Sequence, residues 1–327
     1  MKVYIKMLLL LALFSFAINV FAQEKAVKGQ AENKEEVVKF GIMVKHPVNT
    51  FSNFVLTENT RVHRVYSDST TKDYQRNIVY YYTVKVEDSP QKGFQTVIIV
   101  VDSLNYLFKD GDKVLDYHSV DMSGNASRTK DLNFRTPVLG REFNLVYSPY
   151  GEVSKIYGSD IKELTDYIDE NKSYMKPIEL FMWNTAVSFE RLSYIGDNKR
   201  IVLPQYRIPI DSIWYSPISI ELNGYAFNDT AAMKIAKYNT GTFLIEGTMK
   251  NLTHINRNEL MYNVSKLVNI DKTVGTGKIE LEMTARGNIK RTKIQYRAVV
   301  RAKVGDDYVD EVIDSSIEWK KTGTFRL

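Results

Sequence analysis

The side chains able to run acid–base or metal chemistry near neutral pH are few in this 327-residue chain, which has four histidines and no cysteine. Histidine is the commonest route to a group titrating near pH 7. His46, His63, His118 and His254 lie at no metal-ligand spacing from one another, and neither a His-Glu-x-x-His nor a Gly-x-Ser-x-Gly motif occurs. They read as surface or hydrogen-bonded structural residues. The absence of thiols excludes disulfides and thiolate metal sites. Carboxylates are the remaining acid–base resource. Asp166, Asp169 and Glu170 cluster at the end of one helical segment, and Glu280 and Glu282 share a strand face. Proximity along one sequence does not make a facing glycosidase pair, so both sets read as solvated faces. Asp110-Gly111-Asp112 lacks the further oxygen ligands and closing glutamate of a calcium loop and reads as a turn. The expectation is a non-enzyme with no catalytic residue, metal or cofactor, a carboxylate-based hydrolase being the minor alternative.

Binding chemistry is better supplied. The chain has 21 tyrosines and three tryptophans, and Tyr80-Tyr81-Tyr82 must place rings on both faces of one strand. Tyrosine is also a good strand former, which accounts for most of these residues without a ligand. Arg286, Lys290, Arg291, Lys293, Arg297, Arg301 and Lys303 crowd the last hairpin. Lys293, Arg297 and Arg301 share one strand face, a candidate surface for an anionic partner such as lipopolysaccharide or an acidic protein. Total charge is nearly balanced, at 44 basic against 39 acidic residues, which argues against nucleic acid.

The elements that must hold these residues are mostly strands. Phe143, Leu145 and Tyr147 alternate with polar neighbours up to Ser148-Pro149-Tyr150-Gly151, and the alternation resumes at Val153 and Ile156, a hairpin pattern. A helix is expected from Asp160, with capping-box spacing to Glu163, to about Asn171. A second, from Pro177 to Leu192, is apolar around most of its circumference and is expected to be the most buried element. Before them, strands are expected over residues 51–57, 61–66, 78–86, 97–101, 104–108 and 114–117, with a turn at Gly111 and a loop over 122–127. After them, strands are expected over 200–203, 213–222, 242–248, 261–267, 278–285, 293–303 and 310–319, with a short helix over 226–238. Pro204, Pro209 and Pro217 mark an edge or an irregular connection.

Residues 1–22 have the layout of a secretory signal peptide, with Lys2 and Lys6 before an uncharged run that ends at Ala22. Residues 23–38 read as a flexible leader. The body divides into an N-terminal β region (39–136), the hairpin with two helices (137–195) and a C-terminal β region (196–327), together one compact unit.

Leu139-Gly140-Arg141-Glu142-Phe143, Gly151-Glu152-Val153 with Ile156-Tyr157-Gly158, Gly275-Thr276-Gly277 and Gly287-Asn288-Ile289 resemble an uncharacterised family of secreted Bacteroidota proteins with a β-rich body. The resemblance implies a periplasmic or surface location and no activity. Asp68-Ser69-Thr70, Asp102-Ser103-Leu104, Asp211-Ser212-Ile213 and Asp229-Thr230-Ala231 are similar to the O-glycosylation sequon of that phylum, making Ser69, Ser103, Ser212 and Thr230 candidates. The expected fold is α+β and predominantly antiparallel β, a curved sheet or half-barrel with two central helices packed against its concave side. The expected function is that of an envelope protein binding an apolar ligand, such as a lipid, or a peptide in the hollow. The alternatives are a structural subunit docked to an outer-membrane protein partner and, more remotely, an outer-membrane β-barrel.

Overall fold

Period-two alternation of apolar and polar residues is sustained here well beyond the length of an average strand. In the computed structural model it produces strands of up to 20 residues. Residues 38–89, 91–120, 132, 135–222, 225–255, 258–260 and 267–326 are described. The signal peptide, the leader up to residue 37, the loop at 122–127 and most of the strand expected over 261–267 lie outside them.

The first half is an antiparallel meander of β2 (Thr50–Tyr66), β3 (Thr71–Asp88), β4 (Gln95–Asp110), β6 (Glu142–Tyr147) and β7 (Val153–Tyr157), with β5 (Lys113–His118) also on β4. Three helices follow: α1 (Ser159–Asn171), α2 (Pro177–Ala186) and α3 (Phe189–Gly196). The second half runs through β9 (Ile213–Leu222), β10 (Tyr225–Asn239), β11 (Thr242–Met249), β14 (Leu267–Thr284), β15 (Ile289–Val304) and β16 (Asp307–Arg326). The short strands β12 (Thr253–His254) and β13 (Asn258–Leu260) pair β10 and β14, and β1 (Lys39–Phe40) pairs β8 (Ile208–Pro209) apart from the main sheet. The last strand returns to the first long one, β16 pairing β2 from Val309↔Tyr66 to Arg326↔Thr50. That seam joins the two meanders into one open sheet of 14 strands.

Each long strand shows one face to the core and one to solvent. On β2, Phe54, Leu56, Glu58, Thr60, Val62 and Arg64 are buried, while Asn53, Asn59, Arg61 and His63 are exposed. The core face carries α3, whose Tyr194 carbonyl accepts from Trp319 Nε1 of β16 at 3.1 Å. The paired strands expected over 51–57 and 61–66, and over 97–101 and 104–108, are single strands, the latter with a bulge between Val101 and Ser103. Pro217 lies in β9, an edge strand paired only to β10.

Three expectations are corrected. Residues 226–238 are strand, not helix: the alanines suit a helix, but Phe227, Ala231, Met233 and Ile235 are buried at period two between paired neighbours. The second helix breaks in two at Ser188, whose hydroxyl accepts from Arg191 N at 3.1 Å and caps α3. The half before the break is not the most buried element, because only Met182 and Ala186 of α2 are buried. The segment that follows α3 is a charged strap inside the molecule, with Asp197, Asn198, Lys199 and Arg200 each at most 8% exposed.

Candidate site: a polar trough across seven strands

Residues of β4, β3, β2, β16, β15 and β14, and of β11 and the segment just after it, neighbours in that order, line an open trough of about 940 Å³. Register puts its exposed lining in two cross-strand rows, on either side of a row of Arg76, Thr60, Ser315, Tyr296, Gly277 and Met249 that faces the core. One is Leu107, Asn77, Asn59, Ser316, Gln295, Lys278, Thr248. The next is Lys109, Gln75, Arg61, Asp314, Arg297, Thr276, with Lys250 just beyond the end of β11 continuing the register beside Thr276. The first row is a ladder of amides and hydroxyls, in which Asn77 Nδ2 donates to Asn59 Oδ1 at 2.5 Å. The second holds most of the charge. Among the described residues, Asp314 is the only carboxylate in the trough, and it pairs with Arg297 at 3.4 Å. Leu107 is the aliphatic side chain of these rows, and the stems of the lysines and arginines add hydrocarbon beneath their charged ends.

This arrangement differs from the expected apolar hollow. The side chains of the two exposed rows point away from α3, which meets Tyr80 of β3 and Trp319 of β16 on the core face. Gly277 faces the core, where a Cβ would stand 2.5 Å from Met249 Cε and 2.8 Å from the Gln295 carbonyl oxygen.

Two charged clusters occupy the core face. Arg64 Nε donates to Glu311 Oε1 at 2.6 Å, directly across β2 and β16. Glu58 lies 3.5 Å from both Arg76 and Arg135, and Arg135 Nη1 donates to the Tyr80 hydroxyl at 3.3 Å, as does Arg191 Nη2 at closer range. The second cluster is the strap: Lys199 Nζ donates to Asp197 Oδ1 at 2.8 Å, and the Tyr147 hydroxyl donates to the same oxygen at 3.3 Å. Burial pulls Lys199 below the usual lysine range against the opposing pull of Asp197, and burial with Asp197 pushes Tyr147 up. A buried lysine with a lowered pKa is a pattern used for carbonyl chemistry. Here it is 1% exposed and held by its carboxylate, which makes it a structural tie. A cavity of about 650 Å³ beside the strap is bordered by Glu152, Glu190, Asp197, Lys199, Arg200 and Asp229.

His46 is not a surface residue. It is 7% exposed, its backbone N and O are both bonded at 2.8 Å by the Gln95 amide, and its pKa is lowered to about 4. His63 and His118 are exposed beside Asp73 and Asp116. The carboxylate sets expected to be solvated are so placed: Asp166 and Asp169 pair with Lys162 and Lys172, and Glu282 with Lys290. Of the candidate anion-binding face, Arg297 lines the trough, while Arg301 donates two 2.8 Å bonds to Asp310 and Lys293 stands opposite Glu318. The further cations Arg61, Lys109, Lys250 and Lys278 were missed because they come from strands far apart in sequence; only register assembles them. Among the glycosylation candidates, Ser69 and Thr230 are exposed, Ser69 in a turn with φ +67, and Ser212 is half-buried beside the exposed Asp211. Ser103 is half-buried at the β4 bulge.

No family model and no curated protein matches the chain. Among solved structures it is similar to lipovitellin, at 9% identity and TM-score 0.41, over 86% of this chain and only 26% of that one. An outer-membrane channel from Pseudomonas putida F1 matches at 8% identity and TM-score 0.22, over 87% of this chain and all of the channel. OmpF of Salmonella typhi, in complex with daunomycin, matches at 8% and 0.20, over 84% of this chain and all of that one. Likenesses of this order carry no assignment. Among the described residues no helix is long and apolar enough to cross a membrane.

Proposed function

We propose that this is an exported, non-enzymatic binding protein of the cell envelope that holds an extended anionic ligand in the trough of its sheet. The observation that carries the reading is the lining itself: cations from five strands, one carboxylate among the described residues, and a parallel row of amides and hydroxyls. Such a surface offers charge for affinity and directional donors and acceptors for orientation. The ionic part of the binding is exposed and therefore screened by salt. Export rests on the layout of residues 1–22, and the secreted-family resemblance points the same way. An acyl chain alone would leave these polar groups desolvated without partners, which disfavours a purely apolar ligand.

The test is retention of the purified protein on immobilised acidic and neutral polysaccharides and on phosphatidylcholine vesicles across a salt series. The proposal expects retention on acidic matrices that falls as salt rises and falls further in the Arg61→Gln/Lys278→Gln double variant. Equal retention on neutral matrices, or preferential uptake of the vesicles, refutes it.

A further inference from the structure

Resting on the trough being the binding site, the order of its charged row narrows the ligand. Reading across the sheet from β4 to β11, the row is Lys109, Gln75, Arg61, Asp314, Arg297, Thr276, Lys250. Within this row cations stand on β4, β2 and β15 and just beyond β11, the uncharged Gln75 and Thr276 on β3 and β14, and the Asp314 carboxylate on β16, while Lys278 of β14 belongs to the neighbouring row. Neighbouring strands are about 4.8 Å apart, so the cations recur every ~10 Å along a row of roughly 29 Å. All four are exposed. Among the described residues, Arg61 and the lysines have no ion-pair partner, while Arg297 shares Asp314.

We infer that the trough takes a linear acidic polysaccharide in which every second sugar carries a carboxylate, lying across the strands with about one sugar per strand. The carboxylates meet Lys109, Arg61, Arg297 and Lys250. The neutral sugars between them meet Gln75, Asp314 and Thr276, and a carboxylate such as Asp314 is a good acceptor for sugar hydroxyls. The neighbouring amide row of Asn77, Asn59 and Gln295 gives donors and acceptors along the chain's other edge. An extended peptide fits the period less well, since side chains on one of its faces recur every ~7 Å. A polynucleotide, with a phosphate on every unit, would bring charges onto the strands that present Gln75, Asp314 and Thr276.

The experiment is calorimetric titration of the full protein with oligosaccharides of alternating glucuronate and N-acetylglucosamine, from four to ten sugars long. Galacturonate octamers with a carboxylate on every sugar, poly-glutamate and single-stranded DNA serve as comparators. The inference expects affinity to climb with each added disaccharide up to eight sugars and then level off. It expects the alternating octamer to bind at least tenfold tighter than the fully charged one, and at least a tenfold loss in the Arg61→Gln/Arg297→Gln variant. Both substitutions are on exposed side chains, and an unchanged thermal transition verifies the fold. Equal or tighter binding of galacturonate, poly-glutamate or DNA overturns the spacing inference while leaving an anion-binding trough intact. No binding of any polyanion overturns both.

Discussion

Acidification should weaken the fold through His46. In the unfolded chain an imidazole takes a proton from about pH 6.5 downward, whereas buried His46 resists until about pH 4. The causes are its burial first, then the nearby Lys321 and Lys199 charges, with Asp197 opposing. Between those values the unfolded state binds the extra proton, so stability falls as pH falls. At 1.36 kcal/mol per pH unit over this interval, the loss attributable to His46 reaches about 3 kcal/mol at pH 4. His46→Phe keeps an aromatic ring next to Tyr147, whose ring centroid is 6.4 Å away, and removes the titration. Urea unfolding of both proteins at pH 7, 6, 5 and 4 isolates the effect, since the carboxylates common to both cancel in the difference. The expectation is that the wild type loses about 3 kcal/mol more than the variant between pH 7 and 4. Parallel pH profiles would refute the reasoning and mean that the native imidazole protonates without cost.

Other perturbations follow from the same geometry. Gly151 has φ +84, and a Cβ there would fall within 2.8 Å of Val44 Cγ2 and closer still to the Lys199 stem. Gly151→Ala should therefore cost roughly 2 kcal/mol or more by denaturant unfolding, and a change under about 0.5 kcal/mol would contradict it. Arg64→Met alone should cost about 3–5 kcal/mol by stranding the Glu311 carboxylate, whereas Arg64→Met with Glu311→Leu should return to within ~1 kcal/mol of wild type. A double variant no more stable than the single one would show that the pair does more than neutralise itself.

Much of the sheet was legible because alternation is a strong local signal. The hairpins at Gly111 and Gly151, the inward Tyr80 and Tyr82 with outward Tyr81, and Pro217 on an edge strand all follow from period and turn chemistry. The errors lie where tertiary pairing or burial overrides local preference. The alanines of β10 favour helix until β9 and β11 bracket them, and Asp197-Asn198-Lys199-Arg200 looks like a surface turn until Tyr147, Ser193 and Thr292 supply its partners. Trp183, within the apolar run from Pro177 to Leu192, sits half-buried against Tyr167, while Trp319 lies in the core. The basic face on β15 was visible, but the pairing of Arg291, Arg297 and Arg301 was not: it depends on Glu318, Asp314 and Asp310 of β16 arriving in register. The trough was out of reach for the same reason, since its charged row is drawn from strands that run from residue 50 to residue 326.

The most direct test of the central claim is lysine footprinting. The protein is acetylated with and without saturating octasaccharide of alternating glucuronate and N-acetylglucosamine, and modification is read by peptide mass spectrometry. If the trough is the binding site, Lys109, Lys250 and Lys278 are protected together, while Lys162 and Lys172 on the exposed side of α1 react unchanged. Protection confined to lysines outside the trough, or uniform across the surface, would contradict the account.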